Sequence, residues 1–255
     1  MVHSPTFAML LILGLFGMIN GQAGATRSED FRVDNAVYVG DQNEPSSQST
    51  TIFSGGVVYD CLKTPAETVV FDKTTSQFVL LNLTRRARTE LSTGAVAAFI
   101  ERLQPMAAKS KDPLVQFLAE PKFQEQSRQT GELTLSSPLI SYRLTLVPET
   151  SPSVVEQYHE FCDWYARLNA LLGSPPPFGR LVVDAAIARQ NAIASRVLVT
   201  VHAGKGSKPQ TTIRSEHRLV RPLEPADLQR VAQAREFMGS FKLLGFDQYR
   251  KIEPR

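Results

Sequence analysis

The first 25 residues contain no Lys, Arg, Asp or Glu, so all 28 basic and 25 acidic side chains, and the whole net charge of +3, belong to the remainder. Beyond that segment no apolar run approaches the roughly 18 to 20 uninterrupted residues of a spanning helix, which excludes a polytopic membrane protein. Cysteine is scarce, at two residues, which excludes a disulfide-built mini-scaffold. Glycine and proline are modest at 15 and 16 residues, and no internal repeat or low-complexity tract occurs, so collagen-like and disordered classes fall away. There is no G-x-S-x-G elbow, no S-x-x-K and no C-x-x-C, which leaves hydrolase and redox readings without a local motif. Triads assembled from distant residues are untouched by that absence. What is present is 42% apolar and 21% charged residues, enough for one globular domain with a sizeable core.

The uncharged start holds an apolar run from Ala8 to Ile19, too short to span a bilayer and of the length of a signal-peptide core. Ala23-Gly24-Ala25 follows, a small-x-small pattern, so cleavage after Ala25 is expected, with residues 26–255 forming a single domain. A retained helical anchor is the competing reading, since the leading residues carry no Lys or Arg. Export, to the periplasm or outside the cell, makes nucleic acid an improbable partner and leaves no spanning segment in the mature chain. In an oxidising compartment Cys61 and Cys162 have one possible pairing, which would close a loop of about 100 residues worth roughly 4 to 5 kcal/mol. Two separate buried thiols are the alternative.

Period-two alternation predicts strands over 31–39, 50–53, 57–62, 68–71, 77–83, 123–126, 132–136 and 139–147, and a last hairpin over 196–203 and 211–220. Phe78 and Leu80 face one way while Val79, Leu81 and Leu83 face the other, so this strand is apolar on both faces and should be central and covered on both sides. Helical spacing predicts helices over 93–108, with Pro105 kinking or ending it, 113–118, 153–172, 178–194 and 225–238. The third is read as starting at a capping box, Ser153 with Glu156, and carries an apolar stripe from Val154 to Leu172. Antiparallel strand blocks with helices between them indicate an α+β class. About ten short strands imply a strongly curved, half-barrel-like antiparallel sheet covered by helices, with a helical insert at about 153–194.

The order Ser49-Thr50-Thr51-Ile52-Phe53-Ser54-Gly55-Gly56-Val57-Val58-Tyr59, then Thr68 to Asp72, then Phe78 to Asn82, resembles the central strands of the periplasmic lipoprotein-carrier (LolA/LolB-like) half-barrel superfamily. The resemblance covers roughly residues 31–90 and implies a curved half-barrel with a greasy interior, hence lipid or a lipidated protein as partner. The helical insert departs from the compact carriers of that superfamily. The whole chain also resembles exported bacterial proteins, which implies no activity.

One polar cluster has spacing that chemistry could use. Glu156, His159 and Asp163 are three and four residues apart and share a helical face. His159-Glu160-Phe161-Cys162-Asp163 differs from the zinc motif H-E-x-x-H in its last position, where the second imidazole is missing, so no metal and no cofactor is expected. A solvated flank of the helix explains the three as well, and an enzyme using them is the least favoured function. His217 alternates with Ser215 and Leu219 and reads as a hydrogen-bonded histidine at the edge of the core. Gly204 to Lys208 lacks phosphate-loop spacing and reads as a hairpin loop.

From Phe178 onward 14 basic residues stand against 7 acidic ones, which leaves an anionic envelope component as a further possible partner. The leading expectation is a non-enzymatic exported protein enclosing an apolar space for lipid or another apolar ligand. The alternative is an envelope interaction or structural module with a filled core.

Overall fold

The computed structural model describes residues 28–128, 130–202 and 209–251; for Pro209 and Gln210 it describes the backbone alone. The apolar run, the cleavage point at Ala25 and the loop from Gly204 to Lys208 lie outside the described residues. Six strands follow one another in an antiparallel meander: β1 (Phe31–Val39), β2 (Ser47–Ser54), β3 (Val57–Leu62), β4 (Glu67–Asp72), β5 (Gln77–Asn82) and β6 (Ala87–Ser92). Gly55 and Gly56 make the β2–β3 turn at φ +61° and +79°, a doubly left-handed pair that matches the twist of a two-residue hairpin and that glycine adopts without strain. Helices α1 (Thr93–Ala108) and α2 (Pro113–Ala119) lead to a second antiparallel run, β7 (Gln124–Arg128), β8 (Glu132–Ser136) and β9 (Ile140–Pro148). Helices α3 (Pro152–Leu171) and α4 (Phe178–Ala188) precede β10 (Ala192–His202) and β11 (Pro209–Val220), and α5 (Pro225–Ser240), β12 (Lys242–Leu243) and α6 (Phe246–Arg250) complete the described chain.

β11 pairs with β1 and thereby joins the two runs into one sheet, ordered β12-β6-β5-β4-β3-β2-β1-β11-β10-β9-β8-β7. Among the described residues only the short β12 pairs in parallel, on β6. The sheet is unclosed, with edges at β12 and β7. A twisted sheet of this many strands does not stay flat, and it curves here into the half-barrel-like α+β arrangement expected from the alternation.

Register assigns each side chain to a face. Phe31, Phe53, Val58, Phe71, Phe78 and Leu91 are successive cross-strand partners, and they form an apolar row against Val154, Tyr158, Phe161 and Leu168 of α3. The rings interlock: Phe31 stacks on Phe53 at 4.1 Å, and Phe161 meets Phe53 edge-on at 5.8 Å. Each fully buried Phe contributes about 1.5–3 kcal/mol. Leu133, Leu135, Tyr142 and Leu144 extend the same face under α4 and α2. The opposite face, with Ile52, Tyr59, Val70, Val79 and Leu81, is covered by Val231 and Ala234 of α5. β5 is thus buried on both sides, as its unbroken apolar run predicts.

Several boundaries differ from those read off the sequence. Ser151, not Ser153, caps α3: its side chain accepts from the Val154 amide, and Pro152 takes the first helical position, where a missing N–H is harmless. α4 ends at Ala188 rather than Ala194, because Asn191 turns the chain at φ +47° and Ala192 begins the strand pairing with β9. α1 continues past Pro105 to Ala108; the carbonyl that Pro105 leaves without a partner belongs to Glu101, on the exposed side. Gly179 is needed where α4 crosses α2, since a Cβ there would lie 2.6 Å from Leu118 Cδ2.

The cysteines do not pair. Cys61 lies on the α5 side of β3, opposite Thr50 and Thr68, and Cys162 is on α3, which packs on the other face. The sheet stands between them, and both are free thiols.

Candidate functional site

Residue types on the α3-facing side of the sheet change part-way along the strands. β1 presents Phe31 and Val33, then Asn35; β2 presents Phe53, then Thr51, Ser49 and Ser47; β11 presents Leu219, then His217 and Ser215. With Asp60 and Leu62 of β3, these polar positions form the floor of a cavity of about 420 Å³, roofed by Tyr158, Phe161, Cys162, Tyr165 and Ala166 of α3 and closed at one side by Arg180 of α4. One wall is therefore polar and one largely aromatic.

The floor is a hydrogen-bonded chain. Thr51 Oγ1 donates to Asp60 Oδ1 at 2.7 Å, and Tyr165 Oη donates to Asp60 Oδ2 at 2.7 Å. Because the Thr51 proton goes to the carboxylate, Thr51 Oγ1 accepts from Asn35, whose Nδ2 stands 2.9 Å away. Asn35 Oδ1 then faces His217 Nδ1 at 2.8 Å, which makes Nδ1 the protonated nitrogen. Every proton in the chain points toward Asp60, and the far end is the lone pair of His217 Nε2. That atom is buried with no partner. Burial, and then the nearby Arg180 charge, push the His217 pKa down to about 4, so the ring is neutral at ordinary pH.

Arg180 Nε spans both oxygens of Asp184, at 2.9 and 3.0 Å. Asp184 raises the Arg180 pKa further above its ordinary value and keeps the guanidinium charged. The Arg180 side chain is 37% exposed, and it lines the cavity. Burial, with the Asp184 charge beside it, pushes the Cys162 thiol up to about 12, so it is no nucleophile at neutral pH.

The polar cluster singled out in the sequence does not converge. Glu156 is 73% exposed and stands 3.9 Å from Lys73, which pairs with Glu160 at 2.7 Å. His159 Nε2 bonds the Ala192 carbonyl at 3.0 Å and ties α3 to β10. Asp163 pairs with Arg167 one turn on, at 3.6 Å. Glu156 lines a small cleft beside Lys73 that neither His159 nor Asp163 reaches. Among the described residues no group of three His, Cys, Asp or Glu side chains is placed to hold a metal.

A second depression, about 560 Å³, opens on the α5 side over β1, β2 and β11. Most of its charges are paired with each other: Arg32 meets Asp34, Glu224 and Asp227 at 3.3, 2.9 and 2.7 Å, and Arg218 meets Asp34 at 2.7 Å. That leaves a solvated ion-pair groove, and the cavity under α3, with its aromatic roof, is the better candidate site.

No family model matches the chain, and no curated protein matches it. Among solved structures, that of a LolA superfamily protein from Nitrosomonas europaea is similar, at 9% identity and a TM-score of 0.28, over 78% of this chain and 89% of that one. A likeness at that score carries no function across. Among the described residues no helix is long and apolar enough to cross a membrane.

Asn35, Thr51, Asp60, Tyr165 and Arg180 carry no motif. Asn35 and Asp60 do carry a local signal, since each is polar between apolar neighbours on its strand face, Val33 and Val37 for the one, Val58 and Leu62 for the other.

Proposed function

We propose that the chain is an exported, non-enzymatic binding protein whose cavity between α3 and the sheet holds a small lipid-like amphiphile. The observation that carries this reading is the cavity itself, about 420 Å³ between the α3 roof and the strand floor, within the range of small-molecule sites. The aromatic roof suits an apolar segment, and the floor suits a polar head. A purely apolar ligand fits less well, because it would cover Asn35, Ser49 and Ser215 without replacing their contact with water. Export rests on the uncharged, apolar first 25 residues, whose removal after Ala25 would leave residues 26–255 as the working domain. The apolar segment could belong to a free lipid or to a lipidated protein; both present the same chemistry to the roof.

Native mass spectrometry of the chain purified from its host envelope tests the reading. A bound mass of lipid size is expected in the natural protein, and none in Ala166→Trp, which fills the cavity from the roof. A natural protein that carries no small molecule overturns it.

A further inference from the structure

Two polar groups in the cavity have hydrogen-bonding capacity left over, and they are of opposite kind. Arg180, which lines the cavity, uses Nε on Asp184, and no described residue accepts from its two terminal amino groups. His217 uses Nδ1 on Asn35 and leaves the Nε2 lone pair buried and unmatched. An orphaned buried acceptor is costly enough that it ordinarily has a water or a ligand as partner. An occupant that satisfies both groups must accept from a guanidinium and donate a proton to an imidazole nitrogen.

Charge narrows the class. Arg180 is opposed by the Asp184 carboxylate in direct contact. The guanidinium is thus already neutralised, and an added anion would meet the Asp184 charge beside it. A hydroxyl both accepts and donates without bringing charge.

We infer that the cavity selects amphiphiles with an uncharged hydroxyl head, the hydroxyl accepting from Arg180 and donating to His217 Nε2. This rests on the reading of the cavity as an amphiphile site and adds the chemistry of the head. Contact with Nε2 takes a side-chain adjustment at the cavity wall of the kind that accompanies ligand binding. The Asp60 chain supports the selection by holding Nδ1 protonated, so that Nε2 can only accept.

The test compares three probes of similar length on the natural protein by calorimetry: dodecanol, undecyl methyl ether, which accepts but cannot donate, and dodecanoate, which is charged. Dodecanol is expected to bind about tenfold tighter than either, the worth of one good hydrogen bond. The Nε2 nitrogen NMR resonance of His217 should move with dodecanol and stay put with the ether. In His217→Phe the alcohol should lose its advantage over the ether while the ether still binds. The comparison of probes on the natural protein decides the matter if that variant does not fold. Equal affinity of alcohol and ether with an unmoved Nε2 resonance, or tightest binding of dodecanoate, overturns the hydroxyl head and leaves the amphiphile site standing. Failure of all three probes to bind overturns both.

Discussion

Tyr165 of α3 donates its hydroxyl to Asp60 of β3 at 2.7 Å, so the roof of the cavity is hydrogen-bonded to its floor. Asp60 is 2% exposed and takes its other hydrogen bond from Thr51. Tyr165→Phe therefore leaves a buried carboxylate one donor short. The expected loss is about 1–3 kcal/mol in urea unfolding, and Thr51→Val should behave likewise. A double-mutant cycle should give non-additive losses, because both hydroxyls serve one carboxylate. Losses within a few tenths of a kcal/mol would place the pair outside the core's energetics.

His217 makes stability pH-dependent. Its folded pKa, about 4, lies below the unfolded value near 6.5, so the unfolded state binds the extra proton first. The contribution is complete above pH 6.5 and is lost as pH falls toward 4. Asn35 of β1 is bonded to the ring at Nδ1, and the nearby charge of Arg180 on α4 disfavours the imidazolium. Unfolding midpoints between pH 7 and 4 should fall in the natural protein by an amount worth on the order of 2–3 kcal/mol, and much less in His217→Phe.

On the other face Asp227, fully buried at the start of α5, is held by Arg32 at 2.7 Å and by Arg230 at 3.0 Å. Burial by itself would raise its pKa, but the Glu224 amide, Arg32 and Arg230 together hold it below the usual value. Its stabilising effect is therefore present above about pH 4 and lost as pH falls further. Arg32→Met should cost about 3 kcal/mol at neutral pH, the lower end for a broken buried pair, since Arg230 remains. Thermal unfolding of the variant against the natural protein measures it.

Both thiols should be unreactive until the protein unfolds. Burial raises the pKa of Cys61 and of Cys162, and the sheet lies between them. Iodoacetamide at neutral pH should modify neither in the folded protein and both in denaturant without reductant. A protein that needs reductant before it can be alkylated would contradict the arrangement.

Much of the fold could be read from side-chain period. Phe78 to Leu81, apolar on both faces, marks a strand covered twice, and Val154, Tyr158, Phe161 and Leu168 mark the helix that covers it. β6 is harder to see because two of its three buried residues, Ala87 and Thr89, are small or polar. The disulfide expectation failed on topology: spacing says how long the loop is, not that a sheet intervenes. The cavity was hidden for a related reason. Asn35 and His217 are 182 residues apart, and period two places each on a face without saying that β11 pairs with β1 in the register that makes them partners. The cluster on α3 looked promising because Glu156, His159 and Asp163 share a face, yet that face runs along the flank of the helix and away from the floor.

The most direct test of the account is a calorimetric titration of dodecanol into the natural chain and into Ala166→Trp. The cavity predicts saturable one-site binding with a negative heat-capacity change in the former, as apolar surface is buried, and none in the latter. Absence of saturable binding to the natural chain, or equal binding to both, would contradict it.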